Sequence, residues 1–224
     1  VFGLDVIHAL RMDTVIFILG VAAMIMGSVH ALQQKNVKRI IAWSSVAQVG
    51  YIFLGVGLNT AAGVAAACLH IIVHATVKPM LFTAAGGLSN AAGHKKGLHA
   101  LMGTFYVNRW AGLGLAAGAF SMMGVPAFAG FASKLSLMLA SFDTPFVAWS
   151  LAALAASSVL NALYYVPAVI VILTHNKDAE KNFTAPPPTK LYNFSMFVFL
   201  ALNFYLGLFC MPLLRLITRG VNVL

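Results

Sequence analysis

Long apolar runs constrain the fold of this chain more than any other feature. Of its 224 residues, 61% are hydrophobic and 8% are charged, whereas a soluble domain carries roughly 25% charged residues. The apolar residues fall in continuous runs separated by short polar patches. Several runs reach the roughly 20 residues that a membrane-spanning helix needs. The sequence therefore predicts an all-α fold, a polytopic transmembrane helix bundle.

We predict about six membrane segments, one of them discontinuous. Their approximate bounds are 13–33, 39–58, 61–88, 110–142, 146–174 and 192–216. The fourth could be one broken helix or two short ones, because Gly124, Pro126 and Gly130 interrupt it. A broken helix is tolerated where its loose backbone faces protein or a water-filled cavity, and such helices recur at transporter sites. We favour one broken crossing.

Membrane topology explains the net charge of +9 better than nucleic acid binding does. Most basic residues stand at the ends of apolar runs, and no basic run is interleaved with stacking aromatic residues. Basic loops follow the first and third segments, whereas the loop between the second and third is uncharged. The positive-inside rule places both basic loops and the Pro-rich loop 176–190 in the cytoplasm, with Arg215 and Arg219 outside.

Three ionisable residues share one face of the third segment. His70, His74 and Lys78 are spaced i, i+4 and i+8, so they span about 12 Å along a helix. A charged lysine near the middle of the bilayer costs about 2.5–3.5 kcal/mol, so this face should line a hydrated interior. Because histidine titrates near neutral pH, groups about one turn apart can form a proton relay.

Other interpretations of these residues remain open. The histidines could donate interhelical hydrogen bonds while Lys78 snorkels to the interface, although it lies about ten residues from the end of its run. Zinc could bind at the spacing of His70 and His74, but the glutamate and further ligand of a catalytic site are missing. We therefore predict no metal site.

Lys134 is the second candidate, because it follows the break between Gly124 and Gly130. A break frees backbone groups and admits water, with which a neighbouring lysine can exchange protons. Alternatively, Lys134 marks a helix end at the interface, particularly if this stretch crosses the membrane twice. Lys38 and His30 are secondary candidates; membrane topology already explains the first, and the second lies one turn before a glutamine pair.

Carboxylates are confined to segment ends and loops. The five are Asp5, Asp13, Asp143, Asp178 and Glu180. Each buried lysine is then neutral, paired with another subunit, or changing its protonation state during function. Other polar or reactive residues within the segments are assigned to helix packing or to ordinary burial. They are Ser44, Ser45, Gln48, Cys68 and Cys210.

Three motifs in order resemble those of a known family. Residues 31–45, ALQQKNVKRIIAWSS, are similar to the family run AL-Q-x-D-x-KR-xx-AYSS. Residues 70–82 are similar to H-xxx-HA-xx-KA-x-LF, and residues 124–134 to G-I-PP-x-AGF-x-SK. These motifs are typical of the antiporter-like membrane subunits shared by complex I, Mrp-type cation/proton antiporters and membrane-bound hydrogenases. Asn36, Trp43 and Pro79 depart from the family pattern, and the proline should strain its helix.

The resemblance implies roles that spacing alone does not give. By motif position, Lys78 would be the central-axis lysine and Lys134 the lysine on the broken helix near the exit path, with His70 and His74 connecting them. The family fold has fourteen helices with two inverted repeats, and this chain would cover the last six. The first half-channel, with its glutamate and lysine pair, would lie upstream.

The chain divides into three parts on this interpretation. Residues 1–12 form an extramembrane lead-in, residues 13–142 form the half-channel helices with the motif residues, and residues 143–224 form the C-terminal helices and a Pro-containing loop. The chain begins without an initiator methionine, so we interpret it as a fragment or as one piece of a longer polypeptide.

The expected function is proton translocation through a lysine/histidine relay. The chain would be a membrane subunit, or a fragment of one, of a redox-driven complex I-type NADH:quinone oxidoreductase. The alternatives are an Mrp-type sodium/proton antiporter subunit, a membrane-bound hydrogenase subunit and a non-transporting structural subunit.

We expect no cofactor in this chain, because it has no cysteine cluster, haem motif or nucleotide loop. Redox centres would lie on partner subunits, beside other membrane subunits of a multi-subunit complex and the lipid bilayer. The expected location is a bacterial or archaeal plasma membrane or an organellar energy-converting membrane.

Overall fold

The computed structural model describes residues 4–175 and 188–221, most of which are helical. This part of the chain contains no β-strand beyond one isolated bridge, and one short 3-10 helix spans Leu98–Leu101. Its ten α-helices are α1 (Leu4–Ala9), α2 (Met12–Leu32), α3 (Val37–Gly57), α4 (Ala61–Ala91), α5 (Thr104–Val107), α6 (Arg109–Met123), α7 (Ala129–Ser141), α8 (Val147–Leu173), α9 (Lys190–Leu208) and α10 (Cys210–Val221). The predicted all-α fold is confirmed.

Five of these helices are long and apolar enough to cross a membrane. They are α2, α3, α4, α8 and α9, with 21, 21, 31, 27 and 19 residues. At a rise of about 1.5 Å per residue, even the shortest approaches the thickness of the hydrocarbon core. The chain is therefore an integral, multi-pass membrane protein.

The helices α6 and α7 form a sixth, broken crossing that runs antiparallel to α4. On α6, a Cβ at Gly114 would lie 3.4 Å from the Cβ of Ala84. On α7, beyond the break, Ser133 contacts His70. The segment before the break thus contacts the C-terminal half of α4, and the segment after the break contacts its N-terminal half. The expected single broken crossing is confirmed.

Short-range chemistry fixes where several helices begin and end. Four begin after a residue whose side chain accepts a hydrogen bond from a backbone N–H of the first turn. These caps are Asn36, Thr60, Asn108 and Thr189. Gly124 ends α6 with φ of 91°, a conformation that glycine adopts readily. Pro126 lies two residues further on and has no N–H with which to continue the helix.

The last predicted segment, 192–216, is two helices rather than one. α9 ends at Leu208 and α10 begins at Cys210. Pro212 explains the interruption, because it has no N–H for the carbonyl of Leu208 and fits only within the first turn of the next helix. The Pro-containing loop predicted at 176–190 lies mostly outside the described residues, as do Asp178 and Glu180.

The two basic loops lie on the same side of the bundle. Asn36 and Gly97 form an antiparallel bridge, and the backbone N–H of Leu98 donates to the carbonyl of Lys35 at 2.8 Å. The loops that follow α2 and α4 therefore share one membrane face, as the charge pattern requires. That this face is cytoplasmic stays a prediction.

The helices α2 and α3 pack with their backbones in contact. A Cβ on Gly50 would lie 2.6 Å from the carbonyl oxygen of Gly20 and 2.6 Å from the backbone nitrogen of Met24. Small residues at such contacts let membrane helices approach closely. This close helix–helix contact therefore requires glycine at position 50.

We expect Gly50→Ala to destabilise the protein by about 1–3 kcal/mol, because the added methyl group must push the two backbones apart. The measurement is thermal unfolding in mild detergent. Gly86→Ala, inside α4, is the matched control because a Cβ there would meet no atom within 4 Å. The control should be neutral or slightly stabilising, since alanine favours helix. A Gly50→Ala protein as stable as the control would contradict the close contact.

Candidate functional site

The three ionisable residues of α4 occupy different depths in the bundle. Lys78 is 6% exposed, His70 is fully buried and His74 is half-buried. The helix continues through Pro79, although a proline there leaves the carbonyl of Ala75 without its helical donor. The face that the sequence predicted to line an interior does carry buried ionisable groups.

The amine of Lys78 reaches α3 rather than the membrane surface. Its Nζ donates to the carbonyl of Ile41 at 3.0 Å and to Ser44 Oγ. Ser44 Oγ also shares a hydrogen bond with the hydroxyl of Tyr165, on α8, at 2.7 Å. The snorkelling interpretation of Lys78 is therefore wrong, because its amine is held between α3 and α8.

Lys134 caps the open end of α6. Its Nζ donates to the carbonyls of Met122 at 2.7 Å and Met123 at 3.2 Å, and to Ser158 Oγ, on α8, at 3.1 Å. The Met122 carbonyl needs such a donor because the residue four positions on is Pro126. Lys134 is 8% exposed. It therefore does not mark a helix end at the membrane interface.

Tyr51 and Ser133 bring the two motifs together. His70 Nδ1 lies 2.9 Å from Ser133 Oγ, and the His70 imidazole stacks on the Tyr51 ring with centroids 5.1 Å apart. The Nζ of Lys134 lies 4.9 Å from the centroid of the same tyrosine ring, within range of a cation–π interaction. The α4 motif and the broken-helix motif therefore form one buried cluster.

Neither lysine has a carboxylate within 4.0 Å among the described residues. The ion pair in that part of the chain joins His8 and Asp13 at 2.8 Å, near the start of α2. Among the described residues, the hydrogen-bond acceptors of both amines are carbonyl and hydroxyl oxygens. Since burying a charge without a counter-charge is costly, the site is suited to groups that change protonation state.

Several buried polar atoms on α3, α4 and α8 have no hydrogen-bond partner among the described residues. They include both amide atoms of Gln48, the hydroxyls of Tyr51 and Ser157, and Nε2 of His70 and of His74. Protein interiors leave few polar atoms unpaired, and buried water serves many of the remainder. This region is therefore suited to hold water.

The secondary candidates lie at the membrane face of the basic loops. His30 Nδ1 donates to the carbonyl of Met26 at 2.8 Å, and its ring stacks on Trp43 with centroids 4.5 Å apart. Lys38 occupies the first turn of α3, beside the cap residue Asn36. Lys38 lies one turn before Ile41, whose carbonyl accepts from Lys78.

The described part of the chain shows no set of side chains arranged to bind a metal ion. No group of three or more His, Cys, Asp or Glu side chains is arranged there to hold an ion. The partner of His70 Nδ1 is the hydroxyl of Ser133. Cys68 and Cys210 are both half-buried free cysteines.

A polar stripe on α8 was not predicted from the sequence. Ser158, Asn161 and Tyr165 are spaced i, i+3 and i+7, so they share one helix face. Asn161 Nδ2 donates to the carbonyl of Met122 at 3.0 Å, beside Lys134. Polar residues at helical spacing within an apolar segment are the pattern that could reveal such a stripe. Ser44, assigned to packing, also belongs to the site through its hydrogen bond with Lys78.

The fold and the site together define a multi-pass helical membrane protein in which a broken helix meets buried ionisable residues. Residues 2–161 match the model of the family described as NADH:quinone oxidoreductase/Mrp antiporter, TM. The match covers most of the chain, so the chain belongs to this family. The resemblance inferred from the three motifs is confirmed.

Curated relatives that this chain matches in part are subunits of NADH-quinone oxidoreductase. It is 29% identical over 206 residues to NADH-quinone oxidoreductase subunit N of Geotalea uraniireducens, covering 92% of this chain and 43% of that relative. It is 30% identical over 197 residues to subunit L of Buchnera aphidicola, covering 87% of this chain and 31% of the relative. The chain thus spans less than half the length of these relatives.

A solved structure confirms the fold. A chain in the Mrp complex from Dietzia sp. DQ12-45-1b superposes with a TM-score of 0.81 at 24% identity, covering 94% of this chain and 47% of that one. At this identity the likeness establishes the fold and carries no assignment of function.

We expect Ser133→Ala to destabilise the protein by about 1–3 kcal/mol, because it leaves Nδ1 of a buried imidazole without its partner. Thermal unfolding measures the effect. Ser136→Ala, on the same helix, removes a serine hydroxyl that bonds only to the carbonyl of Ala132 at 2.9 Å. The two serine variants should differ in unfolding temperature; equal values would show that the His70 contact contributes nothing.

Proposed function

We propose that this chain forms a proton-translocating half-channel of a membrane subunit in a complex I-type NADH:quinone oxidoreductase. The observation that carries the proposal is the pair of buried lysines, Lys134 in the cluster with His70 and Lys78 on the helix that carries His70. Both lack carboxylate partners among the described residues. Such intramembrane ionisable groups are costly and usually mark an ion or proton pathway.

The relatives favour a respiratory complex. The subunits N and L that the chain resembles carry the name NADH-quinone oxidoreductase, a redox enzyme of several subunits. Redox centres and further membrane subunits would then be supplied by partners, and this chain would bind no cofactor. Because the chain spans less than half of these relatives, the proposal concerns the part of such a subunit that this chain matches.

The proposed path runs from Lys78 through His74 and His70 to Lys134. Consecutive members on α4 are separated by about 6 Å of helix rise, too far for direct hydrogen bonds between all of them. Water molecules on the unpartnered atoms of Gln48, Tyr51 and the two histidines would complete the path. Each step moves one proton and returns its donor to the neutral form.

Hydrogen-bond counting supports different protonation states at the two ends. Lys134 Nζ has three acceptors, which matches the three N–H groups of an ammonium ion. Lys78 Nζ has two acceptors among the described residues, which matches the two N–H groups of a neutral amine. We infer an arrangement in which the proton rests on Lys134, with Lys78 ready to accept the next one.

We expect Lys78→Ala and Lys134→Ala each to reduce coupled proton transport to background while the protein still assembles. The arginine variants at both positions should fail as well, because a guanidinium keeps the charge but does not release its proton. Proton uptake by membrane vesicles containing the intact assembly is the measurement. Lys190→Ala, at the exposed first position of α9, is the control and should behave like wild type.

Active arginine variants would show that a fixed positive charge is sufficient and would exclude a relay. Full activity of both alanine variants would instead favour the structural-subunit alternative. Assembly is checked by the yield of the intact complex after purification in mild detergent.

Ion replacement separates the proposal from sodium/proton antiport. We expect proton transport to be unchanged when sodium is replaced by choline, because the relay needs only groups that bind protons. Transport that requires sodium would favour the antiporter alternative. The same vesicles and the Lys190→Ala control serve this measurement.

A further inference from the structure

The carbonyl of Met122 receives two side-chain donors from different helices. Lys134 Nζ donates to it at 2.7 Å and Asn161 Nδ2 at 3.0 Å. A carbonyl oxygen has two lone pairs, so the two donors satisfy it fully. Asn161 is itself fully buried, so its hydrogen bonds are made within the protein. Lys134 and Asn161 of α8 therefore meet at one carbonyl oxygen.

The other end of Asn161 leads towards Lys78. Its Oδ1 accepts a hydrogen bond from Tyr164 OH. The rings of Tyr164 and Tyr165 lie in contact, with centroids 4.7 Å apart. Tyr165 OH then bonds Ser44 Oγ at 2.7 Å, and Ser44 accepts from Lys78. These contacts thus connect one lysine to the other along α8, without passing through a histidine.

We propose that Asn161 and Tyr165 are positioning residues that couple the protonation states of the two lysines. This inference rests on the proposed proton relay. The connection carries no proton, because hydroxyl groups reorient along it and the amide keeps both of its hydrogens. It acts by setting which acceptors each lysine can use.

The proposed coupling follows from the number of hydrogens that Ser44 and each lysine can donate. Ser44 has one hydroxyl hydrogen, which can point to the carbonyl of Ile41 or to Tyr165. A neutral Lys78 amine has a lone pair that can also accept from Ser44, whereas the ammonium can only donate to it. Protonation of Lys78 therefore fixes Ser44 as its acceptor and restricts how Tyr165 can bond. When Lys134 becomes an amine, it has two N–H groups for three acceptors, and Asn161 keeps the Met122 carbonyl paired. A neutral Lys134 is therefore tolerated without an orphaned carbonyl.

A double-substitution experiment tests this connection. Tyr165→Phe removes the hydroxyl at the Lys78 end, and Asn161→Leu removes the amide at the Lys134 end. Initial rates of proton uptake are measured in vesicles that contain the intact assembly. We expect each single variant to lose roughly threefold to tenfold in rate, the size of one or two hydrogen bonds. The double variant should be no slower than the slower single variant, because either change interrupts the same connection.

Multiplicative losses in the double variant would overturn the coupling, as would single variants with wild-type rates. Tyr192→Phe is the matched control, since it removes a tyrosine hydroxyl that bonds the carbonyl of Thr83 at 3.2 Å on another helix. Its rate should not change. If Asn161→Leu does not accumulate as folded protein, Tyr164→Phe interrupts the connection one contact further along and takes its place.

The lysine variants distinguish a failure of the proposed coupling from a failure of the proposed proton relay. If Lys78→Ala and Lys134→Ala abolish transport while the α8 variants behave like wild type, only the coupling is wrong. If the lysine variants transport protons normally, the proposed function itself fails. Thermal unfolding of every variant separates a loss of transport from a loss of folded protein.

Discussion

The carbonyl oxygen of Met122 lacks a helical partner because Pro126 occupies the position of its donor. In the interior of a membrane protein, an unpaired carbonyl costs several kcal/mol by order of magnitude, so other groups must serve it. Lys134 and Asn161 do so from α7 and α8. One break in one helix thus draws polar donors from two others, and its lysine also lies against the Tyr51 ring, which stacks on His70.

Much of the fold could be predicted because its causes are local. The lengths of the apolar runs set the number of crossings, and Gly124 and Pro126 marked the break. The position of Lys78 and the histidines on one helix face followed from their spacing. The last crossing was the exception, since the apolar run continues through Pro212 and only the proline signals its interruption.

The partners of the lysines could not be predicted, because they depend on how distant helices meet. Ser44 and Tyr165 are separated by 121 positions, and their contact exists only after α3 packs against α8. Polar residues such as Ser44 and Asn161 have several possible roles in a helix, from packing to capping. Which role is realised depends on tertiary neighbours, whereas an apolar run predicts a crossing by itself.

The bridge between Asn36 and Gly97 has an electrostatic consequence for any ion that crosses this bundle. It gathers the basic residues of two loops at one rim, namely Lys35, Lys38, Arg39, Lys95 and Lys96. A cationic surface draws in anions and depletes hydronium within a Debye length, about 8 Å at physiological ionic strength. The layer of water at this rim is therefore poorer in hydronium than the bulk, which slows the arrival of protons from this side.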